Sequence, residues 1–365
     1  MIQPRPTRAP ISLYAHLPFC EHRCLFCGCH VVITPHMPVA EKYLDYVKVE
    51  MDRLASHLPD RREVAQMHWG GGTPTYFSPD QLAELMAKVR EHFHFMRGAE
   101  LAIEVDPRVT STDHLDRLVE LGFNRLSMGV QDLTPEVQEA ITRDQTYEQT
   151  AELLAYARKV GFTDGINLDL IYGLPKQRME TFETNLDQIL GLRPDRVAMY
   201  SFAYVPWIKG HQKKLDQASF PTPELKLQLY LRAMERFLEA GYEPIGMDHF
   251  ALPDDELAVA AREGRLHRNF MGYTVMPASD MMAVGVSGIG EVQGASRYFT
   301  EADAREALTQ LDPLWDELFP AEQARIVQLL VARVDVRTHG LEVKLRPTGL
   351  AGLVREIVGS RRAAA

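Results

Sequence analysis

The 365-residue sequence predicts an α/β fold, a full or partial (β/α) barrel with parallel strands, and two features carry that expectation. Short apolar runs alternate with helical patterns, the form that βα units take around a parallel sheet. Helix ends also repeat. Leu121-Gly122-Phe123, Val160-Gly161-Phe162 and Ala240-Gly241-Tyr242 each place glycine where a left-handed residue closes the helix, then an aromatic that enters the next unit. With 45% hydrophobic and 25% charged residues, the chain has material for a large core, in the range of one big barrel or two domains.

Taken in order, strands are expected over residues 12–17, 66–69, 101–105, 125–130, 167–171, 196–202 and 244–249. Helix starts are marked between them. Ser78-Pro79-Asp80-Gln81 supplies a cap, a proline at the first helical position and a capping-box glutamine, before Leu82, Leu85, Met86, Val89 and Phe93 line one face. Thr146 with Gln149, and Thr222 with Pro223, mark two later helices in the same way. A barrel of this kind gathers its active site at the C-terminal ends of the strands. Cys20, residues 70–72, Glu104, Gln131, Asp169, Ala203 and Asp248 all fall at or just past those ends.

The formal charge of -10 and pI near 5.7 give no broad basic field, so nucleic acid is not favoured as a partner. There is no basic stretch leading into an apolar signal segment and no apolar run near the length of a bilayer span. A cytoplasmic monomer with no membrane partner is the expectation.

All 4 cysteines lie within residues 20–29. Clustering of this kind suits a reducing compartment, where thiolates stay available for metal. Cys20-x-x-x-Cys24-x-x-Cys27 suits one loop wrapping a [4Fe–4S] cluster through three thiolates while the fourth iron stays open. The alternative is a structural zinc site, which lacks a completing Cys or His motif elsewhere. The run Gly70-Gly71-Gly72-Thr73 fits either a tight βα turn or a close backbone approach to a ligand. Glu104 ends an apolar strand and is costly to bury without a cationic or hydroxyl-bearing partner. Gln131, Arg143 and Asp169 follow the same logic, with salt bridges inside the barrel as the plainer reading. Arg143 has the planar fork of donors that holds a carboxylate. His16, Asp248 and His249 fit structural roles as readily as catalysis, and Trp69, Tyr200 and Tyr204 fit the core as readily as a flat ligand.

The loop Tyr14-x-His16-x-x-x-Cys20-x-x-x-Cys24-x-Phe26-Cys27-Gly28-Cys29 resembles the radical S-adenosylmethionine enzymes, and among them the oxygen-independent coproporphyrinogen III oxidase (dehydrogenase) family. The resemblance continues through His68-Trp-Gly-Gly-Gly-Thr-Pro-Thr75, Glu104-Val-Asp-Pro107, Asn124-Arg-Leu-Ser-Met-Gly-Val-Gln-Asp132, Asn167-Leu-Asp-Leu-Ile-Tyr-Gly-Leu-Pro-Lys176, Gly246-Met-Asp-His-Phe250 and His267-Arg-Asn-Phe270. It implies a radical S-adenosylmethionine partial barrel over residues 1–298, and the oxidative decarboxylation of coproporphyrinogen III to protoporphyrinogen IX in haem biosynthesis. An external electron donor and a final electron acceptor are implied with it. Cys20, Cys24 and Cys27 are then the cluster ligands. Cys29 is left out, because filling the open iron would leave S-adenosylmethionine no coordination site. Tyr14, Gly71, Glu104 and Ile289 resemble positions contacting the iron-chelating S-adenosylmethionine. Phe26, Gly72, Thr73, Gln131, Arg143, Asp169 and Ala203 resemble positions around a second one. Tyr14 and His16 are the catalytic candidates.

The ends depart from the family's pattern. Oxidases of the family begin with an extra segment before the Tyr-x-His strand, and none is expected here. Residues 299–365 are expected to replace the family's helical C-terminal domain. About residues 302–350 resemble the C-terminal end of large serine recombinases. A helix over 320–333, with Ile326, Leu329, Leu330 and Arg333 on successive turns, should lead into a hairpin pairing 334–336 with 341–345. This small helix-hairpin appendage carries no recombinase catalytic serine motif, so DNA chemistry is not expected of it. Two further readings stand beside the enzyme: a haem chaperone-like relative that binds haem without turnover, and an inactive fusion product. Phe26 with Gly28-Cys29 favours the oxidase branch, because the chaperone relatives have tyrosine before the third cysteine and a non-cysteine residue after it.

Overall fold

The computed structural model describes residues 9–162, 164–292, 331–337 and 340–345. Two compact units divide the chain, Met1–Gln293 and Gly294–Ala365. In the second, Val331–Arg337 and Gly340–Leu345 form an antiparallel hairpin that pairs Val334 with Val343 and Val336 with Leu341. The expected hairpin is present and longer on both sides. The helix expected over 320–333 is corrected at residues 331–333, which belong to the strand; valines at 331, 334 and 336 favour extended backbone over helix. The remainder of that expectation, residues 320–330, lies outside the described residues.

The main sheet of the first unit is open, with helices against it. Its strands are β1 Ile11–Leu17, β2 Glu63–Gly71, β3 His94–Val105, β4 Arg125–Gln131, β5 Ile166–Tyr172, β6 Arg196–Ser201, β7 Glu243–Pro244, β8 His249–Ala251, β9 Asp280–Val284 and β10 Glu291–Val292. They lie in the order β10-β9-β1-β2-β3-β4-β5-β6-β8-β7. Every pair from β9 to β6 is parallel, so the barrel is partial, with antiparallel strands at both edges. Six of the expected parallel strands are found. The crossovers are α1 Met37–Ser56, α2 Pro79–His92, α3 Thr112–Glu120, α4 Pro135–Ala140, α5 Tyr147–Val160, α6 Met179–Leu192, α7 Pro223–Glu239 and α8 Glu256–Arg262. Trp69, Phe93, Phe123, Phe182 and Phe237 are fully buried in the core of sheet and helices.

Local signals acted as their chemistry requires. Ser78 Oγ accepts the Gln81 N–H at 3.3 Å while Gln81 Oε1 accepts the Ser78 N–H at 2.9 Å. Thr146 and Gln149 form the same box, and Thr222 Oγ1 accepts the Leu225 N–H at 3.2 Å. Gly122, Gly161 and Gly241 take φ of +90°, +114° and +86°, the left-handed closure anticipated for them.

The strand expected at 244–249 is corrected. It is split into β7 and β8, and β8 runs antiparallel to β6, pairing His249 with Ala198. Pro244 has no N–H to continue a ladder, and Gly246 lies directly beneath the Tyr273 hydroxyl, which bends the chain between the two strands. Because β8 runs backwards, its first residue rather than its last reaches the face where the parallel strands end. Asp248 and His249 therefore still face the cavity end of the sheet. The parallel strand β9 was not anticipated; its signal is the short apolar run Met281-Met282-Ala283-Val284 before Gly285.

A buried polar hub closes the opposite end. Glu100, 2% exposed, pairs with Arg125 and accepts hydrogen bonds from Thr274 Oγ1 at 2.7 Å and from the N–H groups of Val275 and Met276 at 2.9 and 3.0 Å. It thereby ties the hairpin His267–Asn269 and Gly272–Thr274 to the barrel. No helix among the described residues is long and apolar enough to cross a membrane. Glu100→Gln keeps the shape but leaves the Arg125 charge short of its closest partner, so urea unfolding is expected to show a loss of about 3–5 kcal/mol. A loss below about 1 kcal/mol would mean that the pair barely offsets its own desolvation.

Candidate active site

The cysteine loop follows β1 and is fixed by backbone contacts from the strand beside it. Gly72 N–H donates to Leu17 O at 2.9 Å and Thr73 N–H to Phe19 O at 2.8 Å. A Cβ on Gly72 would lie 2.6 Å from the Pro18 carbonyl, so only glycine permits this approach. Gly71, at φ +116°, lies beneath His16, where a Cβ would meet the imidazole at 2.6 Å. The triple-glycine run is thus a steric requirement as well as a turn.

On its far side the loop is strapped by residues the sequence reading passed over. His211 Nε2 donates to Cys27 O at 2.9 Å, and Lys209 Nζ to Cys29 O at 3.0 Å. Gln212, fully buried, donates through Nε2 to Phe26 O at 3.0 Å and Ala203 O at 3.1 Å. No sequence motif marks these three residues, because they form a short turn whose purpose appears only in the fold.

Cys20, Cys24 and Cys27 share a recess of about 160 Å³ with Phe26, Gly72, Thr73, Gln131 and Arg143. Beside it opens a cavity of about 730 Å³, with Tyr14, His16 and Ile289 in its wall. Gly71, Glu104, Asp169 and Cys29 border both spaces. Ala203 borders neither. Trp69 is core, Tyr200 and His249 face the cavity, and Tyr204 packs on Phe220 away from it.

The thiols differ in state. Burial pushes Cys20 up to about 11, against a 3.4 Å hydrogen bond with Thr73 Oγ1. The Cys29 hydrogen bond brings Cys27 down to about 7 despite burial, helped by Lys209 and Arg23. Cys24 Sγ receives Arg108 Nη2 at 3.5 Å and Arg143 Nη1 at 3.6 Å. Arg143 also meets Asp106 and donates to Gly129 O at 2.6 Å, so its fork is engaged by the chain's own carboxylate. Three thiols in one recess, with arginine donors at Cys24, are a donor set that suits an iron–sulfur cluster.

Two carboxylates face each other across this junction in different states. Burial pushes Glu104 up, but the His68 Nε2 hydrogen bond at 3.0 Å, the His68 charge and the Gly71 N–H at 3.2 Å outweigh it, and the group stays below its ordinary range. Asp169 is pushed up to about 6 by burial and by Glu104, against hydrogen bonds from Ser127 Oγ at 3.1 Å and Asn167 Nδ2 at 2.8 Å. Asn167 Oδ1 is buried with no partner and belongs to the cavity wall, an acceptor that a ligand ammonium or hydroxyl would satisfy. Gln131 holds φ +71° where the β4–β5 register slips, a strained position of the kind found at ligand sites. His16 Nε2 donates to His30 O at 2.9 Å, which leaves Nδ1 to accept the Tyr14 hydroxyl at 3.0 Å.

The sequence pattern of the Radical SAM superfamily matches residues 14–189. The oxygen-independent coproporphyrinogen III oxidase of Salmonella typhimurium is 46% identical over 304 residues, covering 81% of this chain and 66% of that protein. Its counterpart from Escherichia coli strain K12 is 48% identical over 283 residues, covering 78% and 62%. The chain thus spans slightly less than two thirds of the length of these curated relatives. The solved structure of coproporphyrinogen III oxidase from Escherichia coli, described as a radical SAM enzyme, superposes with a TM-score of 0.78 at 39% identity. That superposition covers 97% of this chain and 91% of the other.

Reconstitution with iron and sulfide should give brown cluster absorbance that Cys24→Ala abolishes and Cys29→Ala leaves largely intact; equal loss in both would overturn the three-ligand assignment. Asp169 titrates near 6 in the fold but near about 3.9 when unfolded, so the folded state holds the extra proton between those values. Stability from this group is full below about pH 4 and is lost as pH rises through about 6. Asp169→Asn in the ligand-free protein should therefore gain roughly 1–3 kcal/mol at pH 8 and almost nothing at pH 4. An equal effect at both pH values would sink the assignment of that titration to Asp169.

Proposed function

Because the chain belongs to the oxygen-independent coproporphyrinogen III oxidase family of radical S-adenosylmethionine enzymes, we propose that it converts coproporphyrinogen III to protoporphyrinogen IX in haem biosynthesis without oxygen. The observation that carries this is the meeting of the cysteine recess with the 730 Å³ cavity along a shared wall of Gly71, Glu104 and Asp169. A radical source and a bulky substrate need such a junction.

Cys20, Cys24 and Cys27 would hold the cluster, and the Gly71–Thr73 backbone would cradle the cofactor beside it. Bound there, cluster and S-adenosylmethionine supply a hydrogen-abstracting carbon radical. Glu104, held anionic, suits a cationic ligand; with Tyr14, Gly71 and Ile289 it forms the wall for the first S-adenosylmethionine. Phe26, Gly72, Thr73, Gln131, Arg143 and Asp169 are assigned to a second, with Ala203, which borders neither space, behind them through the Gln212 bridge to Phe26. Tyr14 and His16, joined by their hydrogen bond, orient the reacting groups.

For each of two propionates the substrate loses a β-hydrogen atom, then one electron to an external acceptor, and carbon dioxide leaves as the vinyl double bond forms. Residues 1–298 carry this chemistry and residues 299–365 an appended part. The protein acts as a cytoplasmic monomer, where the thiols stay reduced. The test is anaerobic reconstitution followed by assay with S-adenosylmethionine, reductant and coproporphyrinogen III. Vinyl-bearing product is expected; haem binding without turnover would replace the enzyme by a haem-carrying role.

A further inference from the structure

Arginine side chains reach the large cavity at Arg125, Arg196 and Arg268. Two of them are committed inside the protein. Arg125 pairs with Glu100, and Arg196 with Asp255 at 2.7 Å and Glu256 at 3.1 Å. Arg268 differs. It is exposed on the His267–Asn269 strand and makes no ion pair among the described residues; its contact is with the ring face of Tyr273, 5.2 Å from the centroid. That contact uses none of its five N–H donors.

The surface beneath it is fixed. Tyr273 meets the His249 ring edge-on at 4.9 Å, and its hydroxyl accepts the Met247 N–H at 3.4 Å. His249 is in turn hydrogen-bonded to Asp248 at 2.6 Å. Among the described residues Arg268 is thus a cation whose planar fork has no ion-pair partner, resting on a rigid aromatic shelf in the cavity wall. A planar fork of this kind matches a carboxylate in a bidentate pair.

We propose that Arg268 anchors a carboxylate of the porphyrinogen, and specifically a propionate that survives the reaction. The inference rests on the function proposed above. A guanidinium holding a carboxylate stabilises its charge and so opposes its departure as carbon dioxide, which suits a retained propionate and not a reacting one. Arg268 is on this view a substrate-positioning residue outside the radical chemistry.

Binding can be read without turnover, by titrating the reconstituted full chain with coproporphyrin III, the oxidised macrocycle that bears the same carboxylates, and following its fluorescence. Arg268→Met is expected to weaken binding about 10–100-fold, with cluster absorbance unchanged. Arg268→Lys, which keeps the charge and loses the fork, should fall between the two. In turnover, the loss should appear mainly in KM. Equal affinity of wild type and Arg268→Met, or no coproporphyrin III binding by the wild type, overturns the inference. Binding that depends on Arg268 without formation of vinyl product would keep the anchor and defeat the reaction. Vinyl product with Arg268→Met unchanged in affinity and KM would do the reverse.

Discussion

The approach of two backbones at the ends of β1 and β2 is the constraint on which the site depends. Thr73 can donate to Phe19, and Gly72 to Leu17, only because position 72 has no Cβ to strike the Pro18 carbonyl. That contact places the start of the cysteine loop over the sheet. The parallel register of β1 with β2 and of β2 with β3 then sets the rest, since it lines up Tyr14 with His68 and His68 with Ala102, two residues before Glu104. Stacked rings of Tyr14 and His68, 6.0 Å apart, and the His68–Glu104 hydrogen bond follow from that alignment.

The same proximity divides two chemically similar acids. Glu104 is given a histidine and a backbone N–H and stays charged, while Asp169 has only hydroxyl and amide donors and faces the Glu104 charge. Environments that push two carboxyl groups apart in this way allow one to attract cations and the other to change its proton near neutrality. Neither property belongs to the residue type; each comes from which strand neighbour supplies the donors.

Much of this was legible in the sequence because it is local. Caps at Ser78, Thr146 and Thr222, the glycine helix ends and the cysteine spacing are short-range signals, and the structure bears out the caps, the helix ends and six parallel strands. The errors arose where distant contacts decide. Gly246 beneath Tyr273 breaks an apparent strand, and β9 exists because β1 has a free parallel edge for a run of only five residues. Gln212 illustrates the hardest case. Its amide bridges two carbonyls far apart in the chain, and nothing in its surrounding sequence announces that.

Charge placement across the cavity bears on how one enclosed space can accept ligands of opposite sign. Glu104 and Asp169 stand beside the cysteine recess, whereas Arg125 and Arg196 are neutralised by Glu100, Asp255 and Glu256. Glu104, held anionic in the wall shared by recess and cavity, therefore draws a sulfonium or ammonium group and disfavours a carboxylate beside it. A carboxylate-rich molecule entering the same cavity must place its anionic groups elsewhere, and the wall supplies Arg268, which makes no ion pair among the described residues, to receive them. Like-charge repulsion beside Glu104 and the guanidinium of Arg268 would then together orient the substrate proposed above, so the cavity need not be tightly shaped around it to fix which edge approaches the loop.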